Sequence, residues 1–264
     1  MDILKKSLAP ITEKGWKEIT GRVKEILDTY LTARSFVDIE GPNGLEFGAV
    51  STGRLRIPKN QPANQVGYGI RETLPLVETR KPFELDIWEL DNIERGTRDI
   101  DLTPLEEAAK EIALFEEKAI YEGFSAANIV GLKESSTQAK ATLPQDPDEF
   151  LRVIGRQVNN LSKESVGGPY SLVINAEQWV NLLNLSEGYP VLKQLKGIVG
   201  GKVLISQNNP SSFLVSERGG DYELTIGQDI SCGFDSYNSS KVKLFLSSSF
   251  TFRVITPEAI IVFE

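Results

Sequence analysis

GAVSTGRLRIPKNQPANQVGYGIRETLP, residues 48–75, alternates short apolar positions with glycine, proline and asparagine and gathers no continuous apolar face. That pattern predicts a long extended hairpin or arm rather than a piece of compact core. A two-stranded ribbon alone in water is marginally stable, so the arm has to rest on something. In a self-assembling protein, that support could be a neighbouring copy of the chain.

Both flanks of the arm look like ordinary folded protein. Upstream, Trp16, Ile19, Val23, Ile26, Leu27 and Tyr30 recur at helical spacing, which predicts an amphipathic helix over 12–34 with Thr12 as its N-cap. Residues 36–40 alternate like a strand, and Gly41-Pro42-Asn43-Gly44 is a turn. Downstream, 76–90 alternates Phe83, Leu85 and Ile87 against Glu84, Asp86 and Trp88, which predicts a strand with Trp88 on its less apolar face. Thr103-Pro104-Leu105-Glu106 reads as a capping box, with Thr103 at the N-cap of a helix that stops at Gly123. Its buried stripe is Leu105, Ala108, Ala109, Ile112, Phe115, Ala119 and Ile120, and it is long enough to serve as a spine. Further helices are predicted near 147–162 and 177–185, with strands at 170–175 and 201–206. Phe213–Val215 and Tyr222–Ile226 flank Glu217-Arg218-Gly219-Gly220-Asp221, a hairpin signal, and the C-terminus is strand-rich. The class is α+β.

Composition removes most catalytic classes. The 264 residues include no histidine and one cysteine, Cys232. A Ser-His-Asp or Cys-His mechanism is therefore excluded within the chain, as are histidine-based metal sites and cysteine zinc sites. One cysteine forms no intramolecular disulfide, which fits a reducing compartment. No apolar run approaches a membrane span and the N-terminus does not read as a signal peptide, so the expected location is the cytoplasm. A net charge of −8 with no Lys/Arg run argues against nucleic-acid and anionic-membrane partners.

Two motif-like stretches weaken on inspection. Gly197-Ile198-Val199-Gly200-Gly201-Lys202 lacks the first glycine and the Ser/Thr of a phosphate loop, and Gly67-Tyr68-Gly69 lacks a third glycine. Asp86, Glu89, Asp91 and Glu94 could supply a carboxylate pair, but Arg80, Arg95 and Arg98 nearby make salt bridges the simpler reading. Cys232 sits among apolar residues as a small buried side chain. These features describe an assembling, non-enzymatic protein.

The segments SLAPITEKGWKEI, ARSFVDIEGPNG, LDIWELDNIERG, GGPYSLVIN, VSERGGDYELTIGQDISCGF and LFLSSSFTFRVITPEA, in that order, resemble family 1 encapsulin shell proteins, a linocin/bacteriocin-like family. The resemblance implies the Hong Kong 97 phage-capsid fold. Residues 1–47 would be the N-terminal helix and the start of the P-domain, 48–75 the E-loop, and 76–129 the P-domain with its spine helix. Roughly 130–220 would form the A-domain and 221–264 the C-terminal P-domain strands. It also implies an icosahedral homo-oligomer, with the simplest T=1 shell favoured. The shell would enclose a ferritin-like iron-storage protein or a dye-decolorising peroxidase held by its C-terminal targeting peptide. A phage or prophage major capsid protein is the alternative, and a protease or bacteriocin a weaker one.

By the same resemblance, Leu27, Arg34, Asp38, Asp229, Ile230, Cys232 and Phe234 would line the peptide groove. Arg34 and Asp38 would fix the polar ends of the peptide. The family often carries phenylalanine where Leu27 stands and a different apolar residue at Cys232. Ser186, Glu187, Gly188 and Tyr189 would line a five-fold pore, with a Glu187 ring favouring cations. No cofactor is required. A flavin (FMN or riboflavin) on the outer surface would use Trp88, Arg80 and Tyr189.

Overall fold

The computed structural model describes residues 3–61, 65–185 and 191–264. Helix α1 (Glu13–Tyr30) begins where Thr12 Oγ1 accepts the Gly15 N–H at 3.1 Å. It ends four residues short of the expected limit, and a tight turn over Ala33–Ser35 leads into β1 (Asp38–Glu40). The expected arm is an antiparallel pair, β2 (Ala49–Arg56) and β3 (Ile70–Pro75), joined to no other strand among the described residues. Its pairing slips between Ser51 and Leu55, where Gly53 takes a φ of 74°. Leu55, Ile57, Tyr68 and Ile70 are exposed along the arm.

Strand β4 (Val77–Asp86) buries Phe83 and Leu85, and then the chain departs from expectation. Ile87–Arg95 is a helix, α2, so Trp88 lies in its first turn and not on a strand face. The Asp86 carboxylate accepts the Trp88 N–H at 2.8 Å, Leu90 and Ile93 are buried three residues apart, and Gly96 closes the helix at φ 89°. Helix α3 (Thr103–Tyr121) is the expected spine, with its cap one residue earlier. Leu102 holds the cap position, and the Asp101 carboxylate takes the Thr103 N–H at 3.0 Å.

Short strands β5 (Gly123–Phe124) and β6 (Ile129–Val130) pair before the single turn of α4 (Leu132–Ser135). Helix α5 (Pro147–Lys163) is capped by Asp146, whose carboxylate accepts the Glu149 N–H at 2.8 Å. Strand β7 (Tyr170–Asn175) is followed by α6 (Ala176–Leu185), α7 (Val191–Val199) and β8 (Gly200–Ser206). The phosphate-loop-like stretch therefore runs from helix into strand, the reverse of a phosphate loop. The remaining strands are β9 (Ser212–Ser216), β10 (Tyr222–Ile226), β11 (Ser231–Tyr237), β12 (Lys241–Val254) and β13 (Ile260–Phe263).

The larger sheet runs β1-β10-β12-β11, with β4 along the other edge of β12. The smaller runs β13-β9-β7-β8, and only its β7–β8 pair is parallel. The expected hairpin at 217–221 is a turn without a hairpin, because β9 and β10 enter different sheets. Gly219 and Gly220 supply the positive φ, and Arg218 forks onto Asp221 with two 2.9 Å bonds. The last strand also departs from the expected division at residue 221: β13 pairs with β9 in the smaller sheet.

Tyr222 ties the two sheets together. Its hydroxyl donates to the Ala259 carbonyl at 2.6 Å and accepts the Ser216 N–H at 3.2 Å, and the whole residue is buried. Tyr222→Phe leaves both partners unsatisfied, which should cost about 1–3 kcal/mol. A lower melting temperature of the protein is the expected result; an unchanged one contradicts the role assigned to this hydroxyl.

Candidate functional site

Thr20, Val23, Lys24, Leu27, Asp28 and Leu31 fall on one face of α1 and its last turn, by helical spacing. Opposite them stand Arg34 and Ser35 from the turn after the helix, and Asp229 and Ile230 from the loop before β11. Between them is a groove of about 470 Å³. Val23, Leu27, Leu31 and Ile230 give it apolar surface, and Lys24, Asp28, Arg34 and Asp229 give it charge.

Arg34 is tied down by three hydrogen bonds. Its Nε and Nη2 donate to the two carboxylate oxygens of Glu116 at 2.6 and 2.8 Å, and its Nη1 donates to Asp229 at 2.9 Å. Burial opposes the charge, but the hydrogen bonds and charge of Glu116, aided by Asp229, hold the guanidinium pKa above its ordinary value. Asp229 also accepts its neighbour's N–H, from Ile230, at 2.8 Å.

Of the seven residues carried over for this groove, Leu27, Arg34, Asp229 and Ile230 meet in it. The other three do not line it. The Asp38 carboxylate accepts the Gly220 N–H at 2.6 Å and fastens the turn between β9 and β10. Cys232 and Phe234 are buried in the core between the larger sheet and α1–α3. The chain before α1 covers that edge, since the Phe234 N–H donates to the Leu4 carbonyl at 2.8 Å. Burial pushes the Cys232 thiol up to about 12, with Lys6 opposing the shift.

Sequence reasoning missed two consecutive buried carboxylates, Glu116 and Glu117. The signal was present: they stand four residues beyond Ile112 and Ala113, on the stripe that α3 buries. Glu117 accepts the Thr32 hydroxyl at 2.5 Å and the Ala33 N–H at 2.9 Å, and the Thr32 hydroxyl also meets Tyr121 Oη at 2.8 Å. Burial pushes the Glu117 carboxyl up to about 7, against the pull of those two hydrogen bonds. Glu117 borders a second cavity of about 390 Å³ with Tyr30, Tyr121 and Asn208.

The other sequence-derived candidates are scattered. Trp88 is 67% exposed, and the Arg95 guanidinium lies 5.6 Å from its ring centre. Arg80 instead lies 4.1 Å over the Phe245 ring. Six steps of strand run from Arg80 to Asp86, about 20 Å, and Trp88 follows in α2. The pore set Ser186, Glu187, Gly188 and Tyr189 lies outside the described residues. The acidic cluster is committed to structure: Asp86 caps α2, Glu89 accepts the Asp101 N–H, Asp91 faces Arg95 and Glu94 accepts from Thr12. Arg98 makes no salt bridge with it among the described residues. No group of three or more His, Cys, Asp or Glu able to hold a metal occurs among the described residues, and no described helix is long and apolar enough to cross a membrane.

The architecture is that of Hong Kong 97-like phage capsids. A virus-like particle from Pyrococcus furiosus superposes with a TM-score of 0.65 at 18% identity, over 94% of this chain and 99% of that one. The capsid of Myoviridae phage XM1 gives 0.58 at 11% identity, over 88% and 91%. Residues 1–251 match the family described as encapsulating protein for peroxidase. A type 1 encapsulin shell protein of Mycolicibacterium paratuberculosis is 38% identical over 98% of both chains. One from Rhodococcus erythropolis is 36% identical over 99% of both. The chain belongs to this family of encapsulin shell proteins, and its part is structural, not enzymatic.

Glu117 makes a testable contribution to pH dependence. Its folded pKa lies above the ordinary carboxylate value, so the folded state holds the proton more tightly. The corresponding stability is complete below about 4.5 and is lost as pH rises through about 7. Glu117→Gln should remove that fall from a plot of melting temperature against pH. Parallel profiles for the two proteins would count against a buried, titrating Glu117.

Proposed function

We propose that the protein forms the wall of a closed compartment and that the groove between α1 and the β11 loop seats the C-terminal targeting peptide of an enclosed protein. The observation that carries this reading is the convergence of Leu27, Arg34, Asp229 and Ile230, from distant parts of the chain, on one open groove with apolar and charged walls. An extended peptide buries alternate apolar side chains in such a channel and leaves its backbone for the polar rim. Lys24 and Arg34 offset Asp28 and Asp229, so the wall selects through its apolar side chains more than through net charge.

Two fusion relatives support an enclosed redox or iron-handling protein. A ferritin-like–encapsulin shell fusion protein of Pyrococcus furiosus is 26% identical over 74% of this chain. A diheme-cytochrome–encapsulin shell fusion protein of Kuenenia stuttgartiensis is 22% identical over 96% of it. The family description names a peroxidase. The cargo is accordingly a ferritin-like or peroxidase-type protein, and the compartment is cytoplasmic. Similarity to cellular shell proteins at this level favours a nanocompartment over a phage head.

Electron microscopy of the purified protein should show uniform hollow particles, and mass spectrometry of native particles should identify the cargo. The C-terminal segment of that cargo, fused to a fluorescent protein, should be captured by unmodified shells and lost from Leu27→Asp shells. Equal capture by both would place the peptide elsewhere.

Flavin binding at Trp88 is a second reading, favoured by the exposure of its ring. Arg80 lies over the Phe245 ring and makes no contact with Trp88 among the described residues, so the reading rests on the exposed tryptophan. Riboflavin added to purified shells should then be retained, and Trp88→Ala should release it. Shells that stay colourless after riboflavin addition rule this site out.

A further inference from the structure

The turn that carries Arg34 is held from behind by the spine helix. Glu117 fixes Thr32 and Ala33 through the hydroxyl and the backbone N–H, and Glu116 takes the Arg34 guanidinium in a two-pronged grip. Glu116 is 1% exposed and Arg34 17%, so the grip is formed away from water while one edge of the guanidinium reaches the groove. Asp229, half exposed, closes the far side of the guanidinium from across the groove.

An arginine side chain has five N–H donors. Two go to Glu116 and one to Asp229, which leaves two without a protein partner among the described residues. The positive charge of Arg34 already faces two carboxylates. A third, brought by a ligand, would crowd three negative charges around one positive charge in a partly buried place. A neutral acceptor carries no such penalty, and an extended peptide presents its main-chain carbonyls regularly along each edge.

We propose that Glu116 is a positioning residue for peptide capture, fixing Arg34 so that its two remaining N–H groups take main-chain carbonyls of the bound peptide rather than a carboxylate. This rests on the reading of the groove as a peptide seat. It changes the part first given to Arg34, from fixing a polar end of the peptide to holding its backbone. Sequence selectivity then falls to the apolar wall of Val23, Leu27 and Ile230.

The test uses intact shells and a fluorescein-labelled synthetic peptide copying the C-terminus of the cargo identified from native particles. Fluorescence anisotropy reports its affinity. Glu116→Gln should weaken binding about tenfold, in line with the loss of one charge-assisted grip on a binding group. In shells that already carry Arg34→Ala, the same substitution should change affinity by less than about twofold, because its effect passes through Arg34. A merely structural role would give the same loss in both backgrounds, and that result overturns the proposal. If Glu116→Gln shells do not assemble, Glu116→Asp replaces it, whose shorter side chain loosens the same grip, with a smaller loss that must likewise vanish in the Arg34→Ala background.

The peptide is then amidated at every carboxylate. Arg34→Ala should weaken the acid and amide forms equally; a loss confined to the acid form refutes the carbonyl assignment. Failure of the peptide to bind unmodified shells overturns the groove reading itself, and is thereby distinct from failure of the role given to Glu116.

Discussion

Strand β12 is the constraint on which the larger layer depends. From Lys241 to Phe250 one edge pairs with β4, while the other pairs first with β11 and then with β10. Every backbone group of a central strand needs a partner, so one strand fixes the register of three others. Val242, Leu244, Leu246, Phe250 and Phe252 bury their side chains from it. Ser247, Ser248, Ser249 and Thr251 are buried there as well, with Ser248 meeting Thr79 across the β4 pair at 2.7 Å. The spine helix α3 packs against β4 and β12, and α1 packs against α3. The groove is therefore a surface feature of a stack whose order begins with one strand.

That stack explains why the groove carries charges that are already balanced. Arg34 stands where α1, α3 and the β11 loop meet, so its partners come from separate parts of the chain. A buried charge without a partner would be costly there, and Glu116 removes the cost. Glu117 is the less comfortable neighbour. It has hydrogen bonds but no ion pair among the described residues, and burial dominates its proton affinity.

Local signals were read well where local physics decides. Thr12 caps α1, α5 begins at Pro147 as expected, and the arm of β2 and β3 is as extended as its glycines and prolines require. Trp88 was misplaced because the alternation of Phe83, Leu85 and Ile87 ran on past the point where Asp86 caps a helix. The turn at Gly219-Gly220 was correctly recognised, but the hairpin was not, since the choice of sheet is made by partners elsewhere. Asp38 shows the same limit: its carboxylate serves Gly220, 182 residues away. Arg34 and Asp229 lie 195 residues apart, and no spacing rule brings them together. Resemblance to a family supplied that pair, and geometry then separated them from Asp38, Cys232 and Phe234.

The buried thiol has a consequence for durability. Cys232 is the single cysteine, Met1 the single methionine, and histidine is absent. At neutral pH a thiol pushed up to about 12 is almost wholly protonated, and the protonated form is a poor target for peroxides. The chain is thus nearly free of sulfur open to oxidation and wholly free of imidazole to capture stray transition metals. A wall made of it presents peroxides with very little reactive sulfur.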